Sequence, residues 1–337
     1  MLLKRGLGFA AVVVCVAAGW ADYDERPAVR DYIAEVVAQH GFEKSALETL
    51  FQAAERKEAI LAAMSRPAER KRWHEYRKIF VTPTRIREGI AFWRANEETL
   101  RRVERVYNVP PEITVAVVGV ETRYGRNLGS FRVLDSLSTL AFDYPPRATF
   151  FLGELTEFLL LAQEEGIDPL TMKGSYAGAM GYGQFIPSSY RNFAVDFDGD
   201  GTRDIWTNLN DALGSIGNYF AEHGWRGDGP AAMRVEVAGR VADEDVNRGL
   251  MPDYDEDQLK RLGVISDGMP PGAKAALFRM EGDEGAEYWL GLHDFYVITR
   301  YNHSRLYALA VWQLGQAIRS GKERSERVAM AAGEGAD

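Results

Sequence analysis

The chain has 337 residues, 46% of them hydrophobic, and its 40 Lys and Arg against 49 Asp and Glu give a formal net charge of −9. This acidic balance, without a basic stretch interleaved with aromatic residues, argues against nucleic acid as a partner. The five histidines are scattered without metal-ligand spacing, which disfavours a catalytic zinc site. A chain of this length can bury a core that is stable without disulfides, and its single cysteine, Cys15, allows none within the chain.

The first 21 residues have the pattern of an export signal. Lys4–Arg5 form a charged start, residues 6–19 are apolar, and Gly19–Ala21 offers a small-x-small cleavage site. The apolar stretch is shorter than the roughly 20 residues of a membrane-spanning helix. We therefore expect a periplasmic protein. Lipidation at Cys15 is the less favoured alternative, because the valines before it replace the small residue that usually precedes a lipidated cysteine.

Residues 22–107 have a helical pattern and are predicted to form an N-terminal helical subdomain. Pro27 can begin a first helix and Gly41 can end it. Thr82–Pro83 predicts a helix N-cap and first turn, followed by one long amphipathic helix that continues to Val103. Two further helices are predicted over 46–56 and 68–80.

Glu121 is a lone carboxylate in an apolar run. The run follows Pro110–Pro111 and reaches Gly125, a plausible helix stop, so it predicts a mostly buried helix. A glutamate at the end of such a helix is either paired with a cation or kept partly protonated by burial, and a protonated carboxyl group is what a general acid needs. On spacing alone, an ion pair with Arg123, Arg126 or another cation remains the favoured alternative.

A glycine-rich segment over 173–190 has the composition of a ligand-binding loop. Its glycines and alanines allow a backbone to approach a ligand closely. Tyr176 and Tyr182 offer flat faces for sugar rings, and Ser175 and Gln184 offer neutral hydrogen-bonding groups. A tight helical crossing that needs small residues explains the segment equally well.

An acidic loop follows this segment. Asp196, Asp198 and Asp200 stand at alternate positions before a glycine, which is the opening of an EF-hand, and Thr202 stands at position 7. The twelfth position is Thr207, so the loop departs from a standard EF-hand, whose last ligand is a glutamate. Carboxylates this close repel one another without a cation. We expect a structural calcium ion that supports the cleft wall, with a solvated acidic turn as the alternative.

The last third of the chain begins with strand-like segments between acidic and Gly/Pro turns. They predict a small β insertion over 231–297 and a helical return to the core over 298–320. Tyr301, Asn302 and Tyr307 could line a pocket near the start of that last helix. Taken alone, Ser304 as an N-cap with half-buried tyrosines is the simpler interpretation. The charged and then small residues of 321–337 predict a disordered tail.

Three segments in order carry a resemblance to a known family. Val-Glu-Thr-Arg-Tyr-Gly around Glu121, the glycine-rich segment, and Thr-Arg-Tyr-Asn-His-Ser over 299–304 resemble the lytic murein transglycosylase B family, glycoside hydrolase family 103. The similarity covers the chain from the end of the signal to about residue 318. It implies a mainly α fold, with a lysozyme-like α core over 108–230 beside the helical subdomain and the β insertion.

The resemblance also implies an activity and a set of site residues. The activity is cleavage of the MurNAc–GlcNAc β-1,4 bond of peptidoglycan, with formation of a 1,6-anhydromuramoyl end. Glu121 matches the single catalytic acid/base of the family. The positions that match its substrate cleft are Ser175, Gln184, Tyr301, Asn302 and Tyr307. The family has a longer EF-hand-like loop, whose last carboxylate corresponds to Asp211.

A single carboxyl group fits this chemistry. Ordinary glycosidases use two, and the nearby Asp135 and Asp143 do not lie in an apolar run like that of Glu121. Two alternatives remain: a hydrolytic muramidase on the same scaffold and an inactive glycan-binding protein. We expect glycan strands as the partner of a monomeric protein, without an organic cofactor, and contacts with proteins of cell-wall synthesis or division are conceivable.

Overall fold

The computed structural model describes residues 23–65 and 71–334, so the predicted export signal and Cys15 lie outside the described residues. The chain divides into two compact units between Glu55 and Arg56. The described part of the first unit contains a short 3₁₀ turn (Tyr23–Glu25), α1 (Pro27–His40) and α2 (Lys44–Gln52). As predicted, α1 begins at Pro27, and Gly41 ends it with a φ of 72°.

The second unit is mainly helical. Its helices before the acidic loop are α3 (Glu58–Met64), α4 (Trp73–Phe80), α5 (Pro83–Ala95), α6 (Glu97–Tyr107), α7 (Pro111–Thr122), α8 (Val133–Asp143), α9 (Ala148–Glu165) and α10 (Pro187–Phe193). Those after the loop are α11 (Leu209–Glu222), α12 (Glu256–Arg261), α13 (His293–Tyr301) and α14 (Arg305–Glu334).

Helix α7 lies at the centre of this unit. Every residue of α7 except Glu121 is buried. Helices α5, α6, α11 and α14 all pack against it. Because an apolar helix gains stability by removing its whole surface from water, this environment follows from the sequence of α7.

Two antiparallel sheets complete the unit. A short pair, β1 (Phe131–Arg132) and β2 (Lys173–Gly174), joins the start of α8 to the glycine-rich segment. The larger sheet contains β3 (Ala232–Val237), β4 (Val264–Ile265), β5 (Ala276–Gly282) and β6 (Gly285–Gly291). Its strand order is β4-β3-β6-β5, and Leu277 and Leu290 pair across β5 and β6 and are both buried.

Several predicted boundaries differ from the structure. The predicted long helix is instead two helices, α5 and α6, separated at Asn96. The side-chain amide of Asn96 donates to the Phe92 carbonyl at 2.8 Å. The β insertion is shorter than 231–297, because β6 ends at Gly291 and α13 begins at His293. Helix α2 ends at Gln52 instead of residue 56, and α4 begins at Trp73, after residues 66–70, which lie outside the described part.

Two larger predictions also need correction. The compact units divide after Glu55 and not at 107, because α5 and α6 pack against α7. The predicted disordered tail is helical to Glu334, since α14 continues through it. Lys322 provides the physical reason: its ammonium lies 5.2 Å from the ring centroid of Trp93 and 2.6 Å from Glu326. Across 23–65 and 71–334, no helix combines the length and the apolar character that crossing a membrane requires.

Gly315 is a point of close approach between α14 and α7. A Cβ atom there would lie 2.9 Å from the Glu112 carbonyl oxygen. We predict that Gly315→Ala lowers the free energy of unfolding by about 1–3 kcal/mol, because backbone must move. Gly153→Ala on α9, where an added Cβ meets no atom within 4 Å, should instead stabilise by about 0.5–1 kcal/mol. Denaturant unfolding measures both, and equal effects would contradict this packing.

Candidate active site

Glu121 lies in the last turn of α7. The helix ends because Arg123 and Tyr124 adopt left-handed backbone conformations, with φ of 51° and 60°. This ending leaves the Glu121 side chain partly exposed beside buried neighbours. The Tyr307 hydroxyl at the start of α14 donates a hydrogen bond of 2.7 Å to Glu121 Oε1.

The two nearest arginines bind a different carboxylate. Arg123 donates to both carboxylate oxygens of Glu88 at 3.1 Å, and Arg126 donates to Glu88 at 2.7 Å. The Arg123 hydrogen bond lowers the pKa of Glu88. Arg123 and Arg126, two of the cations considered for Glu121, are therefore paired with Glu88 on α5.

Two parallel tyrosines adjoin Glu121. The rings of Tyr301 and Tyr307 stack with centroids 6.4 Å apart and an interplanar angle of 8°. Burial, followed by the charge of Glu121, raises the pKa of both tyrosines well above the ordinary value. Both hydroxyls therefore keep their protons at neutral pH and act as hydrogen-bond donors.

The glycine-rich segment is hydrogen-bonded to the end of α7 and to α13. The buried Thr122 hydroxyl donates to the Tyr182 carbonyl at 3.2 Å, and the Tyr301 hydroxyl donates to the Gly183 carbonyl at 2.6 Å. The Tyr182 ring fills the space beside Gly125, where a Cβ atom would lie 2.2 Å from its Cε1. Gly125 is thus required for this close approach. These contacts hold the segment beside the end of α7, where Tyr307 bonds Glu121 and Tyr301 stacks on Tyr307.

Ser175 and Gln184 shape the backbone of the segment. The Ser175 hydroxyl accepts from the amides of Ala177 and Ala179 at 3.2 and 3.1 Å. The Gln184 amide donates to the Gly181 carbonyl at 2.9 Å, and its φ of 52° is unusual for a residue with a side chain. Left-handed backbone at a non-glycine residue is strained and is often found at functional sites.

Tyr176 and Asn302 are adjacent to site residues without a hydrogen bond to Glu121. Tyr176 follows Ser175, and 40% of its surface is exposed. Asn302 follows Tyr301, and its backbone carbonyl accepts from Ser304 at 2.6 Å at the turn into α14. Ser304 caps that helix as predicted, since its Oγ accepts from the Tyr307 amide at 3.3 Å.

The two candidate second carboxylates are both paired with cations. Asp135 is buried, unlike the expectation from its sequence context, but Arg132 binds both of its oxygens at 2.8 and 2.9 Å. Asp143 lies 3.1 Å from Arg56. A carboxylate neutralised by a bidentate arginine is a poor nucleophile or base.

The acidic loop brings four carboxylates together. Asp196, Asp198, Asp200 and Asp211 each offer an oxygen within 4.8 Å of the others. Asp211 is buried at the start of α11, and its oxygens accept from the backbone amides of Phe197 and Asp204 at 2.7 and 2.9 Å. Burial raises the pKa of Asp211, although these two hydrogen bonds act to lower it. Thr202 donates its hydroxyl to Asp200 at 2.6 Å. Clustered carboxylate oxygens suit a hard cation such as calcium.

Two residues of the site were not selected from the sequence. Thr122 joins α7 to the glycine-rich segment, and its position directly after Glu121 was the available signal. Tyr219 on α11 packs edge-on against Tyr301 with centroids 4.8 Å apart, and burial raises the pKa of Tyr219 to about 12. Nothing in the spacing of α11 distinguishes Tyr219 from an ordinary core residue.

Comparisons with known proteins agree on one family. The sequence-family model of the transglycosylase SLT domain matches residues 24–316 of this chain. The chain is 44% identical to membrane-bound lytic murein transglycosylase B of Escherichia coli over 310 residues, which cover 88% of this chain and 84% of that protein.

Solved structures give the same result. The soluble lytic transglycosylase SltB1 of Pseudomonas aeruginosa, in a catenated form, has a TM-score of 0.85 and 50% identity, over 89% of this chain and all of that chain. The lytic transglycosylase Slt35 of Escherichia coli in complex with calcium has a TM-score of 0.82 and 43% identity, over 89% of this chain and 95% of that one. These relatives confirm the mainly α, lysozyme-like fold, and the chain belongs to the transglycosylase SLT domain family.

Proposed function

We propose that this protein is a peptidoglycan lytic transglycosylase in which Glu121 acts first as general acid and then as general base. The observation that carries the proposal is the 2.7 Å hydrogen bond from Tyr307 to Glu121, at the end of an otherwise buried helix. The relationship to lytic murein transglycosylase B supports the activity and the glycan substrate.

The reaction proceeds in two proton transfers at Glu121. The protonated carboxyl group donates to the oxygen of the MurNAc–GlcNAc β-1,4 bond as that bond breaks. The 2-acetamido oxygen of the substrate stabilises the anomeric carbon, because Asp135 and Asp143 are paired with arginines. Glu121 then removes the proton of the C6 hydroxyl, whose oxygen attacks the anomeric carbon and closes the 1,6-anhydro ring.

The other cleft residues orient the glycan. Ser175, Gln184 and Asn302 supply hydrogen-bonding groups for hydroxyl and acetamido groups, while Tyr176 and Tyr182 supply faces for sugar rings. A C6 hydroxyl that the bound glycan places near the anomeric carbon competes well with water, because the effective concentration of a group within the same molecule is high. A hydrolytic muramidase, in which water attacks instead, is the second candidate on this scaffold.

Calcium is proposed as a structural ion of the acidic loop. Asp196, Asp198, Asp200 and Asp211 would provide carboxylate oxygens, and Thr202 would provide its backbone carbonyl. The ion would offset the repulsion between the carboxylates and hold the loop that follows α10. The structure of the related Slt35 in complex with calcium supports this assignment.

The proposed location is the periplasm, with glycan strands as the partner of a monomer. The basic start and apolar stretch of residues 4–19 support export, since they match a signal peptide, and lipidation at Cys15 is the alternative. Contacts with cell-wall synthesis or division proteins remain a secondary proposal.

Replacing the catalytic carboxyl group tests its role. We predict that Glu121→Gln lowers the release of products from a soluble glycan by roughly 10²–10⁴-fold while binding is retained, because the amide cannot donate and accept the proton. Mass spectrometry of the products measures release. The control is Glu112→Gln on the same helix, which should remain active. Undiminished cleavage by Glu121→Gln would contradict the assignment.

The Tyr307 hydroxyl is tested with Tyr307→Phe, which keeps the ring. We expect turnover to be slower by about two- to tenfold, because one positioning hydrogen bond contributes about 0.5–1.5 kcal/mol. The alkaline limb of the pH–rate profile should move to higher pH, since the hydroxyl stabilises ionised Glu121. Tyr296→Phe on α13 is the control, because its hydroxyl bonds no described residue. An unmoved profile would reduce Tyr307 to a packing role.

Calcium binding is tested by thermal unfolding. Calcium at a hundredfold excess over its Kd should stabilise the protein by about 2.7 kcal/mol. Asp198→Asn should weaken this response, whereas Asp283→Asn in the β5–β6 turn should not change it. An equal unfolding temperature with calcium and with chelator would rule out the ion.

A further inference from the structure

Two adjoining cavities lie along α14 on the side away from Glu121. Their volumes are about 440 and 650 Å³, within the range of about 300–1,000 Å³ that is typical of ligand sites. Trp312 and Gln316 line both cavities, so the two lie on either side of these residues, and together they are here called the α14 groove. None of the proposed cleft residues lines either cavity.

The position of the groove follows from helix geometry. An α-helix turns by 100° per residue, so Gln316 is rotated about 180° and Trp312 about 140° from Tyr307. Tyr307 binds Glu121. The α14 groove therefore lies on the opposite face of the helix from the catalytic carboxyl group.

The groove is rich in tryptophan. The chain has seven tryptophans, and four of them line the groove: Trp93, Trp225, Trp289 and Trp312. Three of these are nearly buried, and their polar or cationic partners are within the protein: Trp225 donates to the Asn108 carbonyl, Trp289 donates to Glu287, and Trp93 faces Lys322.

Trp312 differs from the other three. It is half-buried, and its ring and its indole N–H contact no aromatic ring, cation or acceptor among the described residues. Tryptophan combines a large flat apolar face with a donor, and such residues dominate the energy of many binding sites. Gln316, which lies four residues later on the same face, likewise has no hydrogen bond to a described residue.

Two basic residues of the groove, Arg319 and Lys322, are already paired with carboxylates, whereas Arg77 and Glu104 form no ion pair among the described residues. Arg319 binds Glu112 and Glu323 at 3.2 and 3.0 Å. Lys322 binds Glu97 and Glu326 at 3.4 and 2.6 Å. Arg77 donates to the Gln313 amide oxygen at 2.7 Å, which leaves the amide N–H groups of Gln313 for another acceptor. A charged ligand beside Arg319 or Lys322 would have to break their ion pairs, whereas a neutral ligand with hydroxyl and amide groups would not.

We propose that the α14 groove is a second, non-catalytic binding site for a β-1,4-linked N-acetylhexosamine chain. A sugar ring stacks on Trp312, and the amide groups of Gln313 and Gln316 bond hydroxyl and acetamido groups. This inference rests on the proposed function for its ligand, because a glycan held at a second site keeps the enzyme on an insoluble wall between cleavage events. Attachment at both sites raises the effective concentration of strands near Glu121.

Binding stoichiometry tests the site directly. Chitohexaose, a hexamer of β-1,4-linked N-acetylglucosamine, is titrated calorimetrically into the Glu121→Gln protein, which does not cleave it. We expect two sites in this protein and one after the additional change Trp312→Leu, which keeps apolar volume but removes the flat face. Trp312→Phe should restore the second site with weaker affinity. A single site before the change, or two sites after it, would overturn the proposal.

Activity on insoluble and on soluble substrates distinguishes a binding role of Trp312 from a purely structural one. With Glu121 intact, Trp312→Leu should lower turnover of insoluble murein sacculi at least about fivefold and leave turnover of a soluble glycan within about twofold. Gln316→Ala should act in the same direction with a smaller effect. Equal losses on both substrates, or no loss on sacculi, would refute the second site. Failure of the proposed function has a different signature: no product from the soluble glycan in the parent protein, whatever the stoichiometry.

Discussion

The packing of α14 against α7 is the constraint on which the site depends. It buries the apolar surface of α7 and leaves Glu121 as the one residue of that helix that is not buried. It also brings Tyr307 to Glu121, although 186 residues separate them in the sequence. Glu121 is partly exposed, and the Tyr307 hydroxyl fixes the orientation of its carboxyl group. In the proposed mechanism, this contact positions the single acid/base.

Backbone contacts extend this arrangement to the cleft. The carbonyls of Tyr182 and Gly183 accept hydrogen bonds from Thr122 and Tyr301, so the glycine-rich segment is held from α7 and from α13 together. The segment needs glycine at close approaches and a left-handed residue at Gln184. These bonds hold the part of the segment between β2 and α10. The acidic loop continues from α10 directly behind it and adds a cation-dependent restraint in the proposed account.

The sequence was sufficient for the features that depend on local pattern. The buried helix that ends near Glu121, the start of α1 at Pro27, the cap at Thr82, and strands β3, β5 and β6 all follow from periodicity and turn residues. Features that depend on tertiary contacts could not be predicted from the sequence. Three examples are the break at Asn96, the contacts of Lys322 in the tail, and the pairing of Arg123 and Arg126 with Glu88. In each case the sequence offers several possible partners and does not indicate which one is bound. Tyr307 emerged from the family resemblance, because its own surroundings suit a core tyrosine equally well.

The central claim is that one carboxyl group and the C6 hydroxyl of the substrate together replace the acid, the second carboxylate and the water of a hydrolase. The most direct measurement is digestion of murein in water enriched in a heavy oxygen isotope, followed by mass spectrometry of the new muramoyl ends. The account predicts products that are lighter by one water than hydrolysis products and carry no heavy oxygen. Reducing ends that have incorporated the heavy isotope would contradict it and would identify a hydrolytic muramidase.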